Sequence, residues 1–234
     1  MDREHRPAAG RQTGETMEEA ESLVDQAVRE AVAEDVQTDY IAISRHLFSL
    51  YEPGRLHRVA GMRAGVMLPL YEKQGVQHVV LTKRSDLVEH HKGQISFPGG
   101  MVEPGDRDIV ATALREAHEE IGVEPADVEI LGALDDIVTT SNFHVSPVVG
   151  VIGSSPYPFT MHPQEVAEVI EIPIAFLVDD LNLVEEPRES DGRRFINYIY
   201  SYEGHGVWGA TGQILHQYVE LLKAGLALRT GASV

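Results

Sequence analysis

Length, composition and charge narrow what this chain can be. Its 234 residues suffice for one domain with extensions, and a content of 43% hydrophobic and 24% charged residues is typical of soluble globular proteins. The formal charge of −18 disfavours simple binding to a nucleic-acid backbone, so a phosphorylated ligand would require metal ions or a few well-placed basic residues. The absence of Cys excludes disulfides, thiolate zinc sites and cysteine nucleophiles.

No membrane-associated segment is evident in the sequence. No apolar run approaches the roughly 20 residues that span a bilayer, and the first residues lack the apolar core of a signal peptide. We therefore expect a cytoplasmic protein with no membrane partner and no nucleic-acid partner.

The first 56 residues are predicted to precede the main domain. Residues 1–15 are polar and are expected to be disordered. Apolar residues recur at helical spacing over residues 17–33, and a second helix is predicted over residues 40–50. Residues 16–56 thus form a predicted helical extension that packs on the main domain or on a second subunit, which allows a homodimer.

The main domain is predicted to span residues 57–228. Two apolar, β-prone runs at 64–71 and 77–82 flank a polar turn and indicate a hairpin. A short strand precedes Gly99 and Gly100, and a helix follows with Asp106 as its N-cap and Gly122 after its end. Further elements are expected as strands at 128–134, 145–152, 168–173 and 195–202 and a helix at 211–224. Their irregular alternation favours an α/β (α+β) fold, with a mixed sheet sandwiched between helices.

The helix that ends at Ile121 has two contrasting faces. One face carries an apolar stripe that can pack on a sheet, formed by Val110, Ala113, Leu114, Ala117 and Ile121. Glu116, Glu119 and Glu120 gather on the other face, where Arg115 offsets part of their repulsion. Such carboxylates suit Mg²⁺ or Mn²⁺, because hard cations favour oxygen ligands; the alternative is a solvated acidic face.

The glycine turn and this helix together resemble the Nudix box, Gly-x5-Glu-x7-Arg-Glu-U-x-Glu-Glu-x-Gly-U, in which U is a bulky apolar residue. The second half matches from Arg115 to Val123, except for the small Ala117. In the first half, five residues separate Gly100 from Asp106, which stands where the pattern has Glu, and eight residues rather than seven then precede Arg115. A similar lengthened box is typical of the Nudix subgroup that hydrolyses coenzyme A.

An upstream segment is similar to that subgroup's second signature, LLTxRSx3Rx3Gx3FPGG. Residues 81–85 match its beginning and residues 93–100 match its end. Glu89 stands in the place of the second Arg, and the neighbouring His90, His91 and Lys92 are candidates to replace it.

The resemblance implies a metal-dependent Nudix hydrolase that cleaves coenzyme A or its thioesters to 3′,5′-ADP and 4′-phosphopantetheine or its acyl form. It implies that Glu116 and Glu120 bind the metal, while Glu119 shares a metal or pairs with Arg115. Asp106 is expected to cap the helix rather than to bind metal, so Asp106→Asn is predicted to be mild.

Other parts of the site are less closely tied to the box. The resemblance implies that the general base is a carboxylate from a loop outside the box, as in several Nudix proteins, with Glu165 as the candidate and Glu168 as the runner-up. Arg84 and Lys92 are candidate phosphate contacts, and Gly99 and Gly100 would bring the backbone close to the ligand. Candidates to stack on adenine are Phe97, Phe143 and Trp208, each with a core role as the alternative, and residues 139–142 and His144 are candidates to line the mouth of the site.

Two other functions remain open. The same chemistry would serve a diphosphatase for ADP-ribose, a dinucleoside polyphosphate or an oxidised nucleotide. A Nudix fold can also persist as a ligand sensor or interaction module, although such proteins usually lose a box carboxylate, and Glu116, Glu119 and Glu120 are all retained.

Overall fold

The computed structural model describes residues 38–56, 61–87, 92–153, 155–190 and 192–230. The predictions for residues 1–15 and 17–33, and those for Glu89, His90 and His91, lie outside these ranges. In the described part of the chain, no helix is long and apolar enough to cross a membrane.

Helices and strands alternate irregularly along the described residues, as predicted. The helices are α1 (Tyr40–Phe48), α2 (Ile109–Ile121), α3 (Ile174–Val178) and α4 (Gly209–Thr230), and short 3₁₀ turns lie at Pro125–Asp127 and Asp180–Asn182. The strands are β1 (Met62–Lys73), β2 (Val76–Arg84), β3 (Ile95–Ser96), β4 (Gly99–Met101), β5 (Val128–Ala133), β6 (Ile137–Val138), β7 (Phe143–Ile152), β8 (Val166–Pro173), β9 (Leu183–Ser190), β10 (Arg193–Tyr202) and β11 (His205–Val207).

The strands form two sheets in the described residues. The larger sheet has the order β3-β2-β1-β7-β5, with β4 on β1, β6 on β7 and β8 on β2. Its β1 and β7 are parallel, whereas its other pairs are antiparallel, so the predicted mixed sheet is confirmed. The smaller sheet, β11-β10-β9, is antiparallel.

The larger sheet buries a separate core on each face because its side chains alternate between the faces. Met67 and Tyr71 of β1 pack in one cluster with Ala113 and Ala117 of α2. Leu68 points into the other cluster, to which α1, α3 and α4 contribute. The sheet therefore lies between helical layers, which confirms the predicted architecture. Of the four described helices, α2 packs on one face and the other three contribute to the core on the opposite face.

The described part of the predicted extension packs on the main domain. The Ser44 hydroxyl of α1 shares a 3.0 Å hydrogen bond with Tyr218 of α4, and the ring of Phe48 lies against Gly132, where a Cβ atom would come within 2.9 Å of it. After α1, the backbone amide of Leu56 and the guanidinium of Arg55 both donate to the carboxylate of Asp136, whose side chain is 3% exposed. Residues 38–56 thus contribute to the larger core.

Candidate functional site

Helix α2 begins at a different residue from the one predicted. The side chain of Asp108 accepts a 2.8 Å hydrogen bond from the backbone amide of Ala111 and caps the helix, so the assignment of Asp106 as N-cap was wrong. At the other end Gly122 has a φ of 70°, the left-handed conformation that glycine adopts most readily, as the sequence predicted.

Asp106 instead anchors Arg115. Its two carboxylate oxygens each accept a 3.1 Å hydrogen bond from the guanidinium, and Thr112 donates a third bond at 2.9 Å. The bonds from Arg115, with those from the Glu103 amide and Thr112, lower the pKa of Asp106 to about 2. Asp106 does not cap the helix because it binds the charged guanidinium of Arg115. A carboxylate forms a stronger hydrogen bond with a charged donor than with a backbone amide.

Arg115 in turn holds two of the three box glutamates. Its Nη1 donates to Glu116 Oε1 at 2.8 Å and to Glu119 Oε2 at 3.0 Å, and its Nη2 donates to the carbonyl of Met101 at 2.9 Å. This arrangement relieves the repulsion between the carboxylates and links the helix to strand β4.

The carboxylate of Glu116 lies directly against the glycine turn. A Cβ atom at Gly100 would come within 2.3 Å of Glu116 Oε1, so only glycine leaves room for this carboxylate. Burial raises the pKa of Glu116, Arg115 opposes that effect, and the charges of Glu119 and Glu165 add to the rise.

Glu120 is buried, in contrast to the exposed acidic face that helical periodicity indicates. Only 3% of the residue is exposed, and its Oε2 has no hydrogen-bond partner. Burial raises the pKa of Glu120 to about 8, against the opposing effects of the Arg84 charge and a hydrogen bond from the Gly99 amide. The charges of Glu116 and Glu165 raise it further.

A loop brings Glu165 beside these carboxylates. The backbone amides of Thr160 and His162 donate to the carbonyls of Ile121 and Glu120, both at 2.9 Å, so the loop satisfies carbonyls at the end of α2. Glu165 follows with a half-exposed side chain, and its carbonyl accepts a 2.8 Å bond from the Ser85 amide. Sequence spacing could not reveal this contact between the loop and the helix end.

The candidate phosphate contacts occupy different environments. Arg84 influences Glu120 electrostatically, and its Nε is buried without a hydrogen-bond partner. Lys92 is exposed, next to the undescribed segment 88–91. The charge of Arg84 thus acts on Glu120, whereas the side chain of Lys92 faces solvent.

The candidate aromatic contacts also differ in exposure. Phe97 is 3% exposed and belongs to the larger core, which favours the core role that the sequence left open as the alternative; its contact with substrate stays a prediction. Phe143 packs partly against the same core, whereas half of Trp208 is exposed. His144 Nε2 lies 2.9 Å from Asp136 Oδ2, so this side chain has a structural partner.

The donor set fits a divalent cation although the carboxylates do not converge fully. Among the described residues, no group of three acidic or histidine side chains forms a metal-binding cluster. Arg115 binds both Glu116 and Glu119 in this structure. Glu120 nevertheless has a buried oxygen without a partner, and further carboxylates lie near it. Burying the ionised carboxylate of Glu120 costs free energy, and a bound divalent cation would offset that cost.

A mixed sheet between helical layers, with glutamates on one helix facing a carboxylate-bearing loop, defines a hydrolase domain suited to phosphate chemistry. A family model for the NUDIX domain matches residues 61–198. An uncharacterised Nudix hydrolase, NudL, from Photorhabdus laumondii is 33% identical over 182 residues, which cover 76% of this chain and 94% of the relative. The chain therefore belongs to the Nudix family and is a Nudix hydrolase, an enzyme that acts on phosphorus-containing anhydrides.

A second curated protein and a solved structure are also similar to this chain. The NudL protein of Yersinia pestis strain Pestoides F is 32% identical over 186 residues, covering 79% of this chain and 87% of that protein. A crystal structure of a MutT/nudix family protein from Enterococcus faecalis has a TM-score of 0.44 and 14% identity, covering 86% of this chain and 74% of that one. Nudix hydrolases generally use divalent metal ions, in line with the metal dependence inferred from the box.

Proposed function

We propose that this enzyme hydrolyses the diphosphate of coenzyme A or its thioesters to 3′,5′-ADP and 4′-phosphopantetheine or its acyl form. The observation that carries the proposal is the intact state of the lengthened box. Despite eight intervening residues, Asp106 binds Arg115 through both oxygens, and Arg115 holds Glu116 and Glu119. The departures from the general pattern therefore belong to an ordered site, and they are the departures that resemble the coenzyme A subgroup.

The box carboxylates would hold Mg²⁺ or Mn²⁺. Glu116 and Glu120 are the proposed ligands, and Glu119 shares the metal or stays paired with Arg115. A bound divalent ion supplies charge neutralisation at the phosphate oxygens and lowers the pKa of water. The unpartnered, buried oxygen of Glu120 supports this role, because a cation would compensate its burial.

The remaining steps belong to side chains of the chain itself. Glu165 accepts a proton from the attacking water, whose oxygen bonds to one phosphorus of the diphosphate. The bond between that phosphorus and the bridging oxygen breaks, and the other phosphate leaves with the bridging oxygen. Arg84 offsets negative charge on the substrate. The proximity of Glu165 and Arg84 to Glu120 supports both roles.

The proposal extends to the cellular compartment and the oligomeric state of the enzyme. The lack of Cys fits a cytoplasmic enzyme, and dimerisation through the N-terminal extension stays a prediction. Binding of coenzyme A without the second signature Arg requires other cations, for which Arg84 and Lys92 are the described candidates.

A substrate panel tests the proposal. Purified protein is assayed with Mg²⁺ or Mn²⁺ against coenzyme A, acetyl-coenzyme A, ADP-ribose, a dinucleoside polyphosphate and NADH, beside Glu120→Gln and Glu165→Gln. We expect coenzyme A or its thioester to be the preferred substrate and both variants to be impaired. Glu171→Gln, which alters an ion pair with Lys73 remote from the box, is the matched control.

Two results would contradict the proposal. Preferential cleavage of ADP-ribose or another nucleotide would retain the chemistry and overturn the coenzyme A assignment. Failure to cleave any member of the panel would favour a sensor or interaction module.

A further inference from the structure

Strand β8 contains a bulge immediately after Glu165. Lys83 of β2 pairs with Glu168, but the next residue, Arg84, pairs with Val166, so Ala167 is an extra residue in β8. A bulge of this kind reverses which face of the sheet successive side chains occupy. Val166 accordingly packs in the core beside α2, on the face where Arg84 influences Glu120.

Glu168, on the far side of the bulge, lies between two basic side chains. Its Oε2 is 3.9 Å from Lys83 Nζ on β2, and its Oε1 is 3.4 Å from His205 Nε2 on β11. Glu168 therefore joins the two sheets at the point where the pairing shifts.

His205 is held where it can make this contact. The turn before it places Glu203 and Gly204 at φ values of 47° and 76°, the left-handed pair typical of a tight type I′ hairpin. The side chain of His205 is largely buried, with 18% of it exposed. A short hairpin of the smaller sheet thus reaches the edge of the larger sheet next to the loop that carries Glu165.

We propose that Glu168, held by Lys83 and His205, is a positioning residue that fixes the bulge and thereby the direction in which Glu165 approaches Glu120. This inference rests on the proposed function, in which Glu165 is the general base. The link from Glu168 to Glu165 is short: three residues along the chain, with the Glu165 carbonyl bonded to the amide of Ser85, the residue that follows β2. Glu168 was the runner-up for the base, and its two basic neighbours assign it the supporting role instead.

The first test measures how well the hydrogen bond between the Ser85 amide and the Glu165 carbonyl is protected from exchange, and it needs no substrate. In the full-length chain, hydrogen exchange at the Ser85 amide reports on its bond to Glu165. We expect Glu168→Ala and His205→Ala to speed that exchange about tenfold, because the strand edge opens locally. Glu171→Ala, which removes another Glu from β8 and its ion pair with Lys73, is the matched control and leaves the exchange unchanged. Unaltered exchange in Glu168→Ala would overturn the proposal.

The second test separates positioning from a direct catalytic role. We expect Glu168→Ala to lower kcat about tenfold with KM within about twofold, as misplacement of a reacting group does. In the Glu165→Gln background the same change should have no further effect, since Glu168 acts through Glu165. Independent, multiplicative losses would overturn the proposal, as would an active Glu165→Gln variant beside an inactive Glu168→Gln variant.

Glu120→Gln distinguishes failure of this inference from failure of the proposed function. If Glu120→Gln retains wild-type turnover, the proposed metal-dependent reaction is wrong. If Glu120→Gln is inactive while Glu168→Ala keeps wild-type kcat, the reaction stands and the positioning role is overturned.

Discussion

The burial of Glu120 makes one substitution especially informative. Glu120→Gln keeps the shape of the side chain and removes the charge that a metal requires. We expect turnover to fall about a hundredfold or more, consistent with the several kcal/mol that a metal supplies to such reactions. We also expect the fold to persist, because a neutral amide costs less to bury than a carboxylate with one oxygen that has no partner.

The magnitude of the stability effect follows from the pKa of Glu120. That pKa is about 8 in the folded chain, whereas the ordinary value is 4.5. The folded state therefore binds more protons between these values, so the free energy of unfolding without metal falls as pH rises through this window. At about 1.4 kcal/mol per pH unit, the fall reaches about 3 kcal/mol by about pH 7. The free energy of unfolding of Glu120→Gln does not fall in this way, so the variant becomes more stable relative to the wild type as pH rises.

Urea unfolding from about pH 5 to 8, with and without Mg²⁺, measures this difference. The matched control is Glu119→Gln, which removes a half-exposed carboxylate from the same helix and should keep the wild-type pH slope. Mg²⁺ should stabilise the wild type more than Glu120→Gln, because an ionised carboxylate binds this hard cation more strongly than a neutral amide does. Equal pH slopes for wild type and Glu120→Gln would refute the argument from burial, and wild-type turnover would refute the metal assignment.

Three further substitutions probe other parts of the structure. Asp106→Asn weakens the anchor of Arg115, so kcat should fall about tenfold, as for other partners of ligating groups. Gly100→Ala should lower kcat about a hundredfold, because the new Cβ atom collides with the Glu116 carboxylate. Hydrogen bonds from Ser146, His144 and Arg55, with the Leu56 amide, overcome the effect of burial and hold the pKa of Asp136 at about 2. Asp136→Asn should therefore cost about 2 kcal/mol of unfolding free energy above about pH 4, with the difference vanishing as pH falls towards 2.

Steady-state kinetics and acid unfolding check these expectations. A loss in Asp106→Asn as large as that in Glu120→Gln would indicate that Asp106 itself belongs to the metal site. Gly105→Ala is the control for Gly100→Ala, because a Cβ atom at Gly105 meets nothing within 4 Å, and equal effects would refute the steric argument. A stability difference in Asp136→Asn that persists near pH 2 would contradict the assigned pKa.

Local patterns predicted the elements that depend on neighbours in sequence. The hairpin of β1 and β2 has the polar turn that its residues indicated, and the apolar stripe of α2 packs on the sheet through Ala113, Ala117 and Ile121. Strands β4, β6, β9 and β11 and helix α3 were not predicted. Three of those strands have only two or three residues, too few to establish an alternating pattern.

The environment of each site residue was harder to predict, because it depends on distant parts of the chain. Helical spacing groups Glu116, Glu119 and Glu120, but the loop that bonds to the end of α2 and the nearby strand β4 bury Glu120 and leave Glu119 half exposed. Asp106, predicted as the cap, likewise pairs with Arg115, nine residues further along the chain, while Asp108 caps the helix. No periodicity in the sequence reports such contacts.

The most direct test of the proposed activity is the fate of the oxygen of water during turnover. Purified enzyme with Mg²⁺ or Mn²⁺ is supplied with coenzyme A in isotopically labelled water, and the products are analysed by mass spectrometry. The proposal predicts equal amounts of 3′,5′-ADP and 4′-phosphopantetheine, with one labelled oxygen on the phosphate of one product and no reaction in Glu120→Gln. Intact coenzyme A alongside cleavage of ADP-ribose under the same conditions would contradict it.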